Sequence, residues 1–355
     1  MKSAATSGRF GSDMNTPRKK GLLLVNLGTP EAPTAEKVRP YLAQFLSDPR
    51  VIDISPLGRW FLLNLFILPF RPKKSAEAYA TIWTERGSPL LFHTDDLCRK
   101  VTEKLPDYTV AYAMRYGSPS IESKLKALAA TGVDELTIFP LFPQYASSST
   151  GSAIQRALEV VNSLWNTPFV KVVPPFYHDP KTITAYANCA REQIAQFKPD
   201  FFVFSYHGLP ERHITKSEGQ TGYCLKRDDT CCAEISDANR FCYRAQCFET
   251  TRQIARELGL SPDQYKITFQ SRLGSSPWIK PYTDEVFKEL GKKGKKRLLV
   301  FCLSFVCDCL ETLEEIAVRG KEEFTHAGGE DLQLIPSLNS NDDWVDAVVD
   351  LVRKT

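Results

Sequence analysis

Short apolar runs recur along this chain between stretches of helical period. "GLLLVNLG" (residues 21–28), "YTVAYAMRYG" (108–117), "ELTIFPLFP" (135–143) and "VKVVPPF" (170–176) form a first set. "DFFVFSYHG" (200–208), "YKITFQS" (265–271) and "RLLVFCLSF" (297–305) form a second. Each run is short and bounded by Gly, Pro or polar clusters, as buried strands are. Between them, segments such as "SIESKLKALAATG" and "CFETTRQIARELG" carry the helical repeat. The alternation predicts an α/β fold with parallel sheets covered by helices on both faces. Two sets of runs predict two Rossmann-like domains, 21–175 and 176–355, behind a polar leader at 1–20.

Functional groups of an open α/β sheet gather at the carboxyl ends of its strands. That rule gives weight to the tails of these runs. "NLGTP" lacks the glycine spacing of a dinucleotide site and no G-x-x-x-x-G-K occurs, so a nucleotide cofactor is not expected. The 45 basic and 42 acidic residues nearly balance at +3, which leaves no footprint for nucleic acid. The leader has no apolar core of the secretory kind. A cytoplasmic, reducing compartment follows, where ten cysteines point to metal binding or buried thiols rather than disulfides.

One stretch, "LGRWFLLNLFILPFRPKK" (57–74), is greasy but shorter than the ~20 apolar residues of a membrane span. It reads either as a core helix or as an apolar lip, 57–70, resting on a bilayer with basic residues at its rim.

His207 ends the run "FFVFSY", on rigid backbone facing the expected cleft, with a reference pKa suited to taking and passing a proton. After the last run comes "CDCLETLEEI". Glu311 and Glu315 stand four apart there, on one face of a starting helix, with Asp308 just before. Acids at a helix start favour the macrodipole; they also suit proton carriage or a hard divalent cation.

These blocks, in this order, resemble the ferrochelatases, enzymes that insert ferrous iron into a porphyrin. The likeness runs from "LLLVNLGTP" through "MRYGSPSI", "FPLFPQYASSSTGSA", "SYHGLPERH" and "QSRLGSSPWIKPYTDE" to "CDCLETLEEI". It implies a porphyrin cleft between two Rossmann-like domains, with protoporphyrin and Fe2+ as substrates. It implies His207 as proton acceptor and Glu311 and Glu315 as carriers of protons outward or of iron inward, His207 and Glu311 meeting the metal. Arg115, Tyr116, Tyr145 and Trp278 are implied as macrocycle contacts. In many animal members a histidine stands at Cys309, so no role is carried to that position. The resemblance also favours the lip, and with it peripheral attachment to the inner membrane.

The insertion at 216–242 brings Cys224, Cys231, Cys232 and Cys242, spaced C-x6-C-C-x9-C, whereas Cys247 falls on an ordinary family position. Four thiolates suffice for a 2Fe–2S cluster or for zinc, and the spacing leaves cluster, zinc and free thiols open. Some ferrochelatases hold a 2Fe–2S cluster, and the resemblance makes these four its expected ligands. The animal ligand pattern is absent, since Ser147 stands in its first place and no cysteine tail follows. Coproporphyrin as substrate, a related metal chelatase, and a porphyrin carrier or iron–sulfur sensor without turnover are the competing readings; a homodimer stays open.

Overall fold

The first apolar run folds as β1 (Lys20–Thr29) and takes an inner place in a parallel sheet with β2 (Tyr108–Gly117), β3 (Glu135–Pro140) and β4 (Phe169–Val172). The second set gives β5 (Phe201–His207), β6 (Tyr265–Gln270), β7 (Arg297–Cys302) and β8 (Asp331–Leu334), again all parallel. The computed structural model describes residues 18–226, 229–272, 274 and 276–355; most of the predicted leader lies outside the described residues. β8 is the strand that the apolar pattern does not predict, because its four residues alternate instead of forming a run.

Strand order is β2-β1-β3-β4 in one sheet and β6-β5-β7-β8 in the other. In each, the first strand sends the chain to one neighbour and then to the other. That is a topological switch point, and ligands bind outside the carboxyl end of such a strand. The tails of β1 and β5 are therefore the two places where a site is expected. At the end of β1, Gly28 has φ +117°, and a Cβ there would meet the Tyr116 carbonyl at 1.8 Å. Only glycine lets β1 run this close to β2.

Leu22, Leu23, Leu24 and Val25 are all fully buried because helices cover both faces of the sheet. Leu22 and Leu24 share one hydrophobic cluster with Phe204, Phe301 and Trp344, so a single core joins the two sheets. Leu23 and Val25 pack on the other face with Ile138 and Ala157.

The greasy stretch folds as a short helix, Pro56–Phe61, followed by a π-helical turn, Leu62–Ile67. Leu63 and Leu68 are buried, but Leu57, Trp60, Phe61, Leu65, Phe66 and Phe70 are exposed, six of the twelve large apolar side chains so placed among the described residues. That concentration makes one apolar patch. Among the described residues no helix is long and apolar enough to cross a membrane.

Candidate active site

β5 delivers His207 to the cleft. Its backbone pairs with Gln270 at the end of β6, and its N–H donates to Ser304 Oγ at 2.9 Å. The ring Nδ1 lies 2.7 Å from the Gly208 carbonyl. A carbonyl only accepts, so in the neutral ring Nδ1 carries the proton and Nε2 keeps its lone pair. The ring meets Phe305 edge-on at 6.2 Å. Gly208 donates to the Gln270 carbonyl at 2.7 Å, and a Cβ on it would press on that oxygen at 2.8 Å and on the Trp278 ring at 3.3 Å. The turn after His207 thus needs glycine to bring Trp278 over it.

His207, Leu209, Trp278 and Phe305 from the second half and Leu27, Phe45 and Phe142 from the first line an open cavity of about 720 Å³. Its walls are apolar and aromatic with few polar groups, the surface a flat hydrophobic ligand requires. Tyr145 lies in an adjoining, more polar cavity with Arg50, Lys216 and Phe241.

Glu315 stands behind His207, across Gln270. It accepts from Ser271 Oγ, and Gln270 Nε2 lies 3.4 Å from it while donating to the Glu311 carbonyl at 2.7 Å. Burial pushes the Glu315 carboxyl above its ordinary range, with the Ser271 hydrogen bond and His207 pulling it part of the way back. Its other side opens on a polar cavity lined by Arg272, Asp284, Arg319 and Glu323. The helix here differs from the expected one: Glu311 lies in a short α-turn, Leu310–Thr312, and Glu315 in a π-helical stretch, Leu313–Gly320. Wide turns of this kind are rare and occur mostly at functional sites. Asp308 is not part of this line. It is buried and accepts from Asn339 Nδ2 at 2.8 Å and the Ser337 N–H at 3.0 Å, which fixes the loop after β7.

Arg115 and Tyr116 occupy a different layer from Trp278. Arg115 pairs with Asp48 at 2.7 Å and bonds Ser152 Oγ at 2.6 Å. Tyr116 is fully buried with its hydroxyl 2.8 Å from Asp48. Its ring packs at 5.0 Å against Phe45, which does line the apolar cavity. As a fully buried side chain, Tyr116 shapes the cleft through Phe45 and does not form its surface, contrary to the expected contact.

The family model described as "Ferrochelatase" matches residues 19–355. The chain belongs to the ferrochelatase family. The ferrochelatase of Coxiella burnetii (strain Dugway 5J108-111) is 49% identical over 338 residues, covering 95% of this chain and 94% of that protein. The ferrochelatase of Legionella pneumophila (strain Lens) is 48% identical over 338 residues, covering 95% and 99%. Among solved structures, SirB from Bacillus subtilis with Fe3+ aligns with a TM-score of 0.49 at 12% identity, covering 95% of each chain.

In the cysteine-rich insertion, the turn Thr230–Cys232 packs against the helix Tyr243–Leu258. Cys224, Cys231, Cys232 and Cys242 are all buried, at 8, 3, 1 and 1% exposure. Cys231 and Cys232 Sγ are 3.9 Å apart, and Cys224 hydrogen-bonds Cys242. That bond, helped by the backbone N–H groups of Ala245 and Arg244, holds the Cys242 thiol down at about 7. The buried Arg244 guanidinium lies 3.3 Å from Cys232 Sγ and 2.6 Å from Asp229. Among the described residues no three His, Cys, Asp or Glu side chains are grouped as they stand to hold a metal ion. Cys302, Cys307 and Cys309 are buried at and just beyond the end of β7, and burial keeps them protonated, Cys307 up at about 12.

Sequence reasoning missed Tyr243, Ser304 and Phe305. Phe305 was visible only as the last residue of an apolar run. Tyr243 hydroxyl donates to the His207 carbonyl at 2.9 Å and lies 2.7 Å from Ser304 Oγ; "YRAQC" fits a segment common to the family, but that match carries no sign of a contact with His207.

Proposed function

We propose that this chain inserts Fe2+ into protoporphyrin IX, forming protohaem and releasing the two pyrrole protons. The observation that carries the reading is the free Nε2 of His207 at the end of β5, facing an apolar cavity walled by Trp278 and Phe305. A porphyrin ring fits walls of that chemistry, with Tyr145 toward its polar edge. His207 Nε2 takes a pyrrole N–H proton, the general-base task its tautomer leaves it ready for. Glu311 and Glu315 pass the proton on toward the polar cavity around Arg319 and Glu323. Burial of Glu315 suits that task, since it raises the carboxyl above its ordinary range and eases the uptake of a proton. His207 and Glu311 are the groups that meet the entering metal.

The test is anaerobic incubation with Fe2+ and protoporphyrin, followed by absorbance. Haem bands growing at a catalytic rate support the reading. Faster insertion into coproporphyrin, or of Co2+ alone, moves it to the alternative substrates, and tight binding without turnover makes the protein a carrier.

The exposed patch at Trp60, Leu65, Phe66 and Phe70 supports reversible attachment to a cytoplasmic membrane surface, with exposed Lys73 and Lys74 beside it. The four thiols support a 2Fe–2S cluster over zinc. Each iron of such a cluster takes two thiolates, whereas zinc needs all four in one tetrahedron, and among the described residues no three ligand side chains are grouped around a single ion. Buried Arg244 and the backbone N–H groups on Cys242 fit a site that carries negative charge. When bound, the cluster supplies a one-electron redox centre. Anaerobically purified protein is expected to carry two irons and two acid-labile sulfides per chain; stoichiometric zinc without sulfide replaces the cluster.

A further inference from the structure

One stretch of backbone belongs both to the thiol cage and to the cleft. Cys242 stands at the start of the helix Tyr243–Leu258, where its carbonyl accepts the Gln246 N–H at 3.1 Å. The next residue, Tyr243, is buried and lines the apolar cavity. Its hydroxyl donates to the His207 carbonyl at 2.9 Å and meets Ser304 Oγ, which in turn accepts the His207 N–H at 2.9 Å. Both backbone polar groups of His207 are thus held in one small ring of bonds. One helical turn on, Gln246 is 1% exposed, and its Oε1 accepts the Tyr145 N–H at 2.6 Å across the cleft. Its Nε2 donates to the Arg240 carbonyl at 2.6 Å, in the thiol loop itself. The first turn of this helix therefore grips both walls of the cleft, and its start is anchored through Cys242.

We propose that filling of the thiol cage is transmitted to the cleft through Tyr243 and Gln246, which act as positioning residues for His207 and Tyr145. The inference rests on the reading of the four thiols as a metal site. With Cys242 bound, the start of the helix is fixed and the Tyr243–Ser304 ring holds His207 in its reactive place. With Cys242 released, the start of the helix loosens and both walls lose a common support. A misplacement of about 1 Å at a reacting group costs about 10²-fold in rate.

Hydrogen exchange read by mass spectrometry tests this without turnover. Protein with its metal content measured is compared with Cys242→Ser, following peptides that contain the His207 and Tyr145 amides. Faster exchange in both, with the β3 peptide unchanged, is the expected result. Tyr243→Phe, which keeps the ring but not the hydroxyl, is expected to retain the metal and the affinity for iron-free porphyrin. Its kcat should fall by about 10²-fold with KM unchanged, and Ser304→Ala should do the same from the other side of the ring. The losses of Cys242→Ser and Tyr243→Phe should not multiply when combined, because both act through one support. Metal-bound protein whose cleft peptides ignore Cys242→Ser overturns the inference alone. So do multiplying losses, exchange that quickens everywhere alike, or a Tyr243→Phe variant of full rate. Wild-type protein purified anaerobically without bound metal overturns the cage reading first, and this inference with it.

Discussion

At the scale of single residues, His207 is the proposed proton acceptor, because its ring is held at Nδ1 by one acceptor and Nε2 has no hydrogen bond among the described residues. His207→Ala is expected to lower kcat by about 10²–10⁴-fold while leaving porphyrin affinity, measured by fluorescence quenching, largely intact. Near-normal turnover in that variant would remove the proton-acceptor role. Glu315 makes a different kind of statement. Its folded pKa is raised by burial, so the folded state keeps its proton to higher pH than the unfolded chain does. Stability therefore declines as pH rises from the unfolded value of about 4.3 up to the folded one. Glu315→Gln removes that decline: the variant should melt higher than wild type at neutral pH, lose this advantage below about pH 4, and turn over more slowly. A site residue that costs stability is expected where function requires the strained state.

At the scale of elements, the sequence pattern was legible wherever a strand is buried on both faces. β1 and β5 could be read from "LLLV" and "FFVF" because parallel strands between helices show as apolar runs. β8, with alternating Asp331, Leu332, Gln333 and Leu334, carries too short a signal to separate from loop. The π-helical stretch Leu313–Gly320 was read as ordinary helix, since a shift from four to five residues per bond leaves the apolar pattern almost unchanged. Burial of Tyr116 was hidden for another reason: its partner Asp48 lies far away in sequence, and only the fold brings them together. The lip was ambiguous because it is both things at once, Leu63 and Leu68 inward and Trp60, Leu65 and Phe66 outward. Trp60, Leu65 and Phe66 changed together to Ser should leave the melting temperature nearly unchanged and weaken sedimentation with anionic lipid vesicles. A large loss of stability would show that these side chains support the core. In the insertion, Cys224→Ser, Cys231→Ser, Cys232→Ser and Cys242→Ser are each expected to abolish the visible absorption of the purified protein. Cys247→Ser, at a buried position in the helix beyond, should preserve it.

At the scale of the whole molecule, the cleft is closed at one end by charge. Asp53, leading into the lip from the first half, accepts from Arg212 Nε at 2.6 Å and Lys216 at 2.7 Å, both just beyond His207 in the second half. His213 Nε2 lies 3.1 Å from the same carboxylate without an aligned hydrogen bond. Burial alone would push the Asp53 carboxyl up, but its bonds to Arg212 and Lys216, with His213 close by, outweigh it and hold the group well below the carboxylate range. His213 is itself lowered, burial outweighing the attraction of Asp53. Both shifts act in the same direction on stability. A depressed carboxylate contributes stability that is full above its unfolded pKa, about 3.9, and is lost as pH falls through the folded value. A depressed histidine resists protonation in the fold, so stability also falls as pH drops below about 6.5. Asp53→Asn should therefore cost about 2 kcal/mol at pH 7, the scale of hydrogen bonds to a charged group, reduced where Lys216 is open to solvent. The difference between variant and wild type, followed by denaturant unfolding across pH, should shrink only below about pH 4. His213→Gln should act higher, flattening the decline that begins near pH 6.5. If Asp53→Asn costs as much at pH 3 as at pH 7, the charge cluster does not hold the two halves together.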